Sequence, residues 1–149
     1  TDKQGPGAQK EEGQELFKEK YAELKMAATQ IRHIEQQIEA LEEKSQEIEA
    51  VMASMDELKK AEVNSEMLVP LSEGVFVKGI LKDTNELVVN VGSNVAVKKT
   101  VEQTKQLLAK RVGEINDYQN ALVAELQKLA SGAEQLQHEL QRLASGAAE

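Results

Sequence analysis

Two heptad-patterned stretches of similar length enclose a short block that reads only as β-strand, and this order constrains the fold of the 149-residue chain more than any other feature. In the first stretch Phe17, Leu24, Ile31, Ile38, Ser45 and Met52 share one heptad position. Lys20, Ala27, Ile34, Leu41, Ile48 and Met55 share the other. In the second stretch Val101, Leu108, Ile115, Leu122, Leu129, Leu136 and Leu143 recur at every seventh residue, with Lys105, Val112, Gln119, Leu126, Ala133 and Leu140 as the weaker companion set. A 3.5-residue period sustained this long specifies a supercoiled helical seam. Ser45 and Gln119, polar within that seam, are expected to fix register at some cost in stability. At about 1.5 Å per residue each helix would measure roughly 65–70 Å. Equal helices joined through a compact insert predict an antiparallel hairpin, with the insert at one end and both termini at the other.

The pattern divides the chain into a flexible, glycine-containing leader at 1–13, a first coiled-coil helix at 14–60, an insert at 61–99, a second coiled-coil helix at 100–144 and a flexible tail at 145–149. Gly113 and Gly132 fall inside the second helix, each costing about 1 kcal/mol relative to Ala. The segment that begins Leu126-Gln-Lys-Leu-Ala-Ser-Gly returns almost unchanged from Leu140. Its second Ser-Gly, Ser145-Gly146, is expected to end the helix, and the turns beyond Leu136 are expected to fray.

Within the insert, Met67-Leu-Val-Pro-Leu, Val75-Phe-Val-Lys-Gly-Ile-Leu, Leu87-Val-Val-Asn-Val and Val95-Ala-Val-Lys are short β-branched runs. Turn-forming residues separate them: Ser72-Glu-Gly74, the stretch from Lys82 to Glu86, and Gly92-Ser-Asn94. Pro70 cannot donate a ladder hydrogen bond, which places its strand at an edge. Val75 and Val77 point to one face while Phe76 and Ile80 point to the other, so both faces are apolar. So small a sheet cannot cover two apolar faces or its own edges, which predicts obligate oligomerisation through this block. Leu68, Val69, Leu71, Val75, Val77, Ile80, Val89, Val91 and Val95 are the residues expected to carry it.

Composition and motifs exclude several function classes. The net charge is -8, and eight carboxylates lie between Glu35 and Glu57 against Lys44 alone, the wrong sign for a nucleic-acid interface. The chain lacks cysteine, so it has neither a disulfide framework nor a thiolate metal site. His33 and His138 have no metal-ligand spacing, and no metal or other cofactor is expected. No apolar run approaches the roughly 18 residues of a membrane span, and the simplest reading is a soluble cytoplasmic protein without membrane contact. Val95-Ala-Val-Lys98 looks like a kinase strand motif, but no Gly-rich loop precedes it and no catalytic loop follows. There is no nucleotide-binding P-loop and no nucleophile beside a base. No catalytic residue is assigned, and the chain is not expected to be an enzyme.

The segments Met67-Leu-Val-Pro-Leu, Leu81-Lys-Asp-Thr, Val88-Val-Asn-Val-Gly-Ser and Val95-Ala-Val-Lys-Lys, set between two coiled coils, resemble the α class of prefoldin subunits. The resemblance spans about Gln14 to Leu143, and four strands in the insert fit the α class rather than the single hairpin of the β class. It implies an α+β, mostly α, fold: a long antiparallel coiled-coil hairpin whose two β-hairpins join those of other subunits in a β-barrel platform. It further implies a hetero-hexamer of two α and four β subunits. That complex would be an ATP-independent chaperone holding non-native polypeptides and passing them to a chaperonin of the archaeal and eukaryotic cytosolic type. A filament-forming relative or a structural coiled-coil scaffold would use the same architecture. The glycine-rich leader, Gly132 and the Ser-Gly repeat depart from the pattern.

A holdase needs an apolar free end. The first turns offer Leu16, Phe17, Tyr21 and Met26, and the last turns offer Leu136, Leu140 and Leu143. These seven are the expected client-binding residues. Leu16, Tyr21 and Met26 lie off the seam, whereas Leu140 and Leu143 would be bared by partial unwinding. Flexible Met and Leu side chains suit promiscuous, multivalent capture.

Overall fold

The computed structural model describes residues 5–146. Two long helices, α1 (Pro6–Lys60) and α2 (Val101–Gly146), enclose β1 (Glu66–Ser72), β2 (Val75–Ile80), β3 (Glu86–Gly92) and β4 (Val95–Thr100). The chain divides into two compact units. One comprises the chain up to Leu41 and from Asp117 onward, and the other is Glu42–Asn116.

α1 begins at Pro6 rather than near Gln14, so residues 6–13 of the expected leader are helical. Proline suits the first helical position, where its missing N–H would have no partner and its φ is already helical. Ala8 N–H donates to the Gly5 carbonyl at 3.0 Å and closes the first turn. α2 continues through Ser145 and Gly146. The remainder of the expected tails, residues 1–4 and 147–149, lies outside the described residues.

In the Glu42–Asn116 unit the helices run antiparallel. Asp56 pairs with Lys105, and Lys59 with Glu102 at 2.7 Å. Lys59 sits in the last turn of α1 and Glu102 in the first turn of α2, each at the helix end whose partial charge it complements. The neighbouring ammonium holds the Asp56 and Glu102 carboxyls below the usual carboxylate range, chiefly through the hydrogen bonds from Lys105 and Lys59 respectively. Beneath these pairs Ile48, Met55, Val101 and Leu108 form the buried core, with Met52, Leu87, Val112 and Ile115 packed against it. All but Leu87 occupy expected seam positions. Leu87 comes from β3, so the second hairpin is packed against the helices.

α2 starts on a reciprocal cap that joins it to β4. The Gln103 N–H donates to Thr100 Oγ1, and the Thr100 N–H donates to Gln103 Oε1, both at 3.1 Å. This capping box satisfies two otherwise orphaned donors at the strand-to-helix junction.

In the other unit the pairing is again antiparallel. Lys20 meets Glu139 at 3.2 Å, and Gln119 Nε2 donates to the Ile38 carbonyl at 3.5 Å. Ile34, Leu122 and Leu140 are the buried apolar residues there. Gln119, polar in the seam, thus finds a partner on the facing helix. Ser45, the other polar seam residue, is buried in the second unit.

The strands form two separate two-stranded antiparallel sheets, β1–β2 and β3–β4. Each hairpin turns on two residues with positive φ, Glu73–Gly74 in the first and Ser93–Asn94 in the second. That is the turn geometry whose twist matches the flanking strands. Each also has a register shift before the turn, at Pro70/Ser72 and Asn90/Gly92. In the second hairpin Gly92, at φ 113, takes the conformation that glycine favours, and its N–H donates to Asn90 Oδ1 at 2.9 Å.

Gly113 remains helical, and a methyl group added there would meet nothing within 4 Å. Gly113→Ala is therefore expected to stabilise α2 by about 1 kcal/mol, measured by thermal or urea unfolding. A destabilised variant would mean that this position packs against something else.

Candidate interaction surfaces

Hairpin β1–β2 is almost wholly exposed, although apolar side chains stand on both of its faces. Its cross-strand register pairs Met67 with Gly79, Leu68 with Lys78, Val69 with Val77 and Pro70 with Phe76. Met67, Val69 and Val77 therefore share one face, while Leu68, Phe76 and Ile80 share the other. Leu71 and Val75 lie exposed beside the irregularity before the turn. Sequence reasoning on the interface omitted Met67 and Phe76, although both stand in the apolar runs that defined these strands.

Hairpin β3–β4 behaves differently. Leu87, Val89 and Val97 alternate with exposed neighbours and are half-buried on one face. Val89 is thus partly covered within its own chain, whereas Val91 and Val95 are exposed. On the opposite face Val88 is 72% exposed, the highest value of any large apolar residue in the described chain. Lys98 there reaches Glu86 across the strands at 3.7 Å. Val88 was not singled out from sequence, because a Val-Val pair does not reveal which of its members faces the helices.

The second surface lies where the first turns of α1 meet the last turns of α2. Leu16 (42% exposed), Tyr21 (47%) and Met26 (65%) are open, and Phe17 is exposed beside them. Phe17 and Tyr21, one helical turn apart, stack with ring centroids 6.4 Å apart. Lys25 Nζ lies 5.0 Å from the Tyr21 centroid and extends the stripe with a cation–π contact, a residue that the apolar pattern could not mark. From α2, Leu136 and Leu143 are half-buried and Leu140 is only 8% exposed. Those three leucines close the seam, and the open surface belongs to α1. Glu139 fastens the two helices beside it, and the hydrogen bond it accepts from Lys20 raises the ammonium pKa above the ordinary lysine value.

The same unit has an open groove of about 460 Å³, lined by residues that include His33, Ile34, Tyr118, Leu122 and Glu125. Tyr118 is exposed there, as Val123 is elsewhere on α2, and neither was anticipated from the heptads. Among the described residues there is no group of three His, Cys, Asp or Glu side chains able to hold a metal ion. No described helix is long and apolar enough to cross a membrane.

The family model for prefoldin subunits matches residues 27–146, which include α1 from residue 27 onward, all four strands and α2. The chain belongs to the prefoldin family. Prefoldin subunit alpha of Methanobrevibacter smithii is 32% identical over 119 residues, covering 80% of this chain and 81% of that one. Prefoldin subunit alpha of Pyrococcus horikoshii is 35% identical over 111 residues, covering 71% and 74%. These matches assign the chain to the α class. Among solved structures, a filamentous prefoldin from Methanocaldococcus jannaschii superposes with a TM-score of 0.73 at 19% identity. The likeness covers 79% of this chain and 98% of that one, and it supports the fold. Prefoldins are chaperones rather than a class of enzymes.

Proposed function

We propose that this prefoldin α chain is a subunit of an ATP-independent, cytoplasmic holdase. Two such chains would assemble with four β-class subunits through their strands, completing a β-barrel platform. The complex would hold non-native polypeptides at the helix ends and deliver them to a group II chaperonin. The observation that carries the assembly step is hairpin β1–β2, apolar on both faces and exposed on both. In water such a surface is a binding site or an aggregation hazard.

Capture is supported by the open stripe of Leu16, Phe17, Tyr21 and Met26. Unfolded clients present apolar groups with no fixed geometry. Flexible Met and Leu beside rigid aromatic rings can meet many such groups weakly, and several copies in one complex add avidity. Leu140 and Leu143 contribute only when the last turns of α2 open.

The proposal is tested by diluting a chemically denatured enzyme into buffer with the purified α–β complex and following turbidity without nucleotide. Suppression at stoichiometric complex, followed by recovery of activity when a group II chaperonin and ATP are added, is expected. Undiminished turbidity would refute the holdase reading.

A further inference from the structure

The open groove part-way down the arm has a floor of Ile34 and Leu122, both buried seam residues, with Gln30, Gln37, Tyr118 and Glu125 along its rims. Its volume of about 460 Å³ falls within the roughly 300–1,000 Å³ that ligand sites occupy. Heptad positions put it on the same side of the arm as part of the open stripe. Leu16 shares the position of Gln30 and Gln37, and Met26 shares that of His33. Tyr21 and Lys25 belong to the opposite side of the seam.

The two surfaces are continuous. On α2, Gly132 repeats the heptad position of Tyr118 and Glu125. In the antiparallel register defined by the Lys20–Glu139 and Gln119–Ile38 contacts, Gly132 stands level with Met26. A methyl group added there would meet nothing within 4 Å, so the rim is missing and the way from Met26 into the groove is open. From Leu16 to Gln37 this track runs roughly 30 Å at a rise of 1.5 Å per residue. An extended chain of about nine residues spans that length.

The track is built for polypeptide. Ile34, Leu122 and the Tyr118 ring offer a seat for an apolar side chain. The Gln30 and Gln37 amides both donate and accept, as a peptide group leaving water requires. Charge on the rims has one sign. Glu23 follows Leu16 in the α1 row, and Glu125 and Glu139 belong to the α2 row, with no Lys or Arg in either row between Leu16 and Gln37 or between Tyr118 and Glu139. Lys20 engages Glu23 and Glu139, whereas Glu125 forms no ion pair among the described residues. Lys128 is its exposed neighbour three residues on, a spacing that contributes little between solvated groups.

We infer that this track is a second client subsite, distinct from the helix ends. It seats an extended segment of non-native polypeptide, with an apolar side chain on Ile34 and Leu122 and a neighbouring lysine or arginine at Glu125. This rests on the holdase reading above and adds to it a chain length and a charge preference. The helix ends take any apolar group, and the track selects among clients.

The test uses the purified α–β complex and two peptides of about nine residues. One carries Leu, benzoylphenylalanine and Arg among Gly and Ser, and the other has Glu in place of Arg. After irradiation, attachment to this chain is mapped and quantified by mass spectrometry. Attachment within 29–37 or 118–125 is expected, with the Arg peptide favoured about fivefold. Glu125→Arg should invert that preference. Gly132→Gln fills the track while improving the helix, and should reduce attachment of both peptides in the groove about tenfold. Gly132→Ala should match wild type, since it improves the helix without filling the track. Attachment confined to the helix ends overturns the inference, as does equal use of the two peptides by wild type and Glu125→Arg. The variant with Leu16, Tyr21 and Met26 all replaced by Ser separates the two levels in the turbidity assay. If it loses suppression while Glu125→Arg and Gly132→Gln leave peptide attachment unchanged, only the subsite fails. If suppression and attachment are unchanged in all three, capture by this arm fails as well.

Discussion

A chain carrying Val77→Asp is expected to stay at its own monomer mass when mixed with β-class subunits. Val77 stands directly across from Val69, on the face that also carries Met67, and all three are exposed in the isolated chain. The substitution should therefore leave the fold of the monomer intact, and circular dichroism should show wild-type helicity. If assembly buries this face, the new carboxylate has no partner there. Its desolvation costs about 4 kcal/mol or more, a weakening of association on the order of a thousandfold. A variant that assembles at wild-type concentration would show that this face is not buried.

The second large effect concerns capture. Leu16, Tyr21 and Met26 are open and off the seam, so replacing all three by Ser should leave the coiled coil and the native mass unchanged. Each contributes about 1 kcal/mol of partial apolar burial against a client. Together their loss is expected to weaken each helix end about a hundredfold and to abolish suppression of aggregation at stoichiometric concentrations. Retained suppression would mean that clients are held elsewhere. Leu136, Leu140 and Leu143 are a poorer test, because they close the seam. Truncating buried Leu140 would cost about 2–5 kcal/mol by leaving a cavity, confounding capture with stability.

The helices and strands were legible because each rests on a local period. The heptads marked the buried residues well. Ile34, Ile48, Met55, Leu108, Leu122 and Leu140 are all seam positions. The turns were legible as well, since Glu73-Gly74 and Ser93-Asn94 must adopt positive φ. The start of α1 was misread. Gly5, Pro6 and Gly7 look like a breaker cluster, yet proline at the first helical position permits the helix, and glycines cost it only about 1 kcal/mol each.

Other features depend on tertiary placement that no periodicity reports. The two hairpins look alike in sequence, but Leu87 of the second packs into the helix core while the first stays bare. That difference separates Val89, half-buried, from Val77, exposed. The free end followed the same rule. Exposure there was divided between helices, with α1 offering the open residues and α2 the closing ones, because heptad position indicates what can pack and not what is left over.

The most direct test of the account is the native mass of this chain, measured by light scattering alone and after co-expression with a β-class subunit from the same source. A defined hexamer containing two of these chains and four partners is expected. A homo-oligomer or filament indifferent to the partner would contradict it.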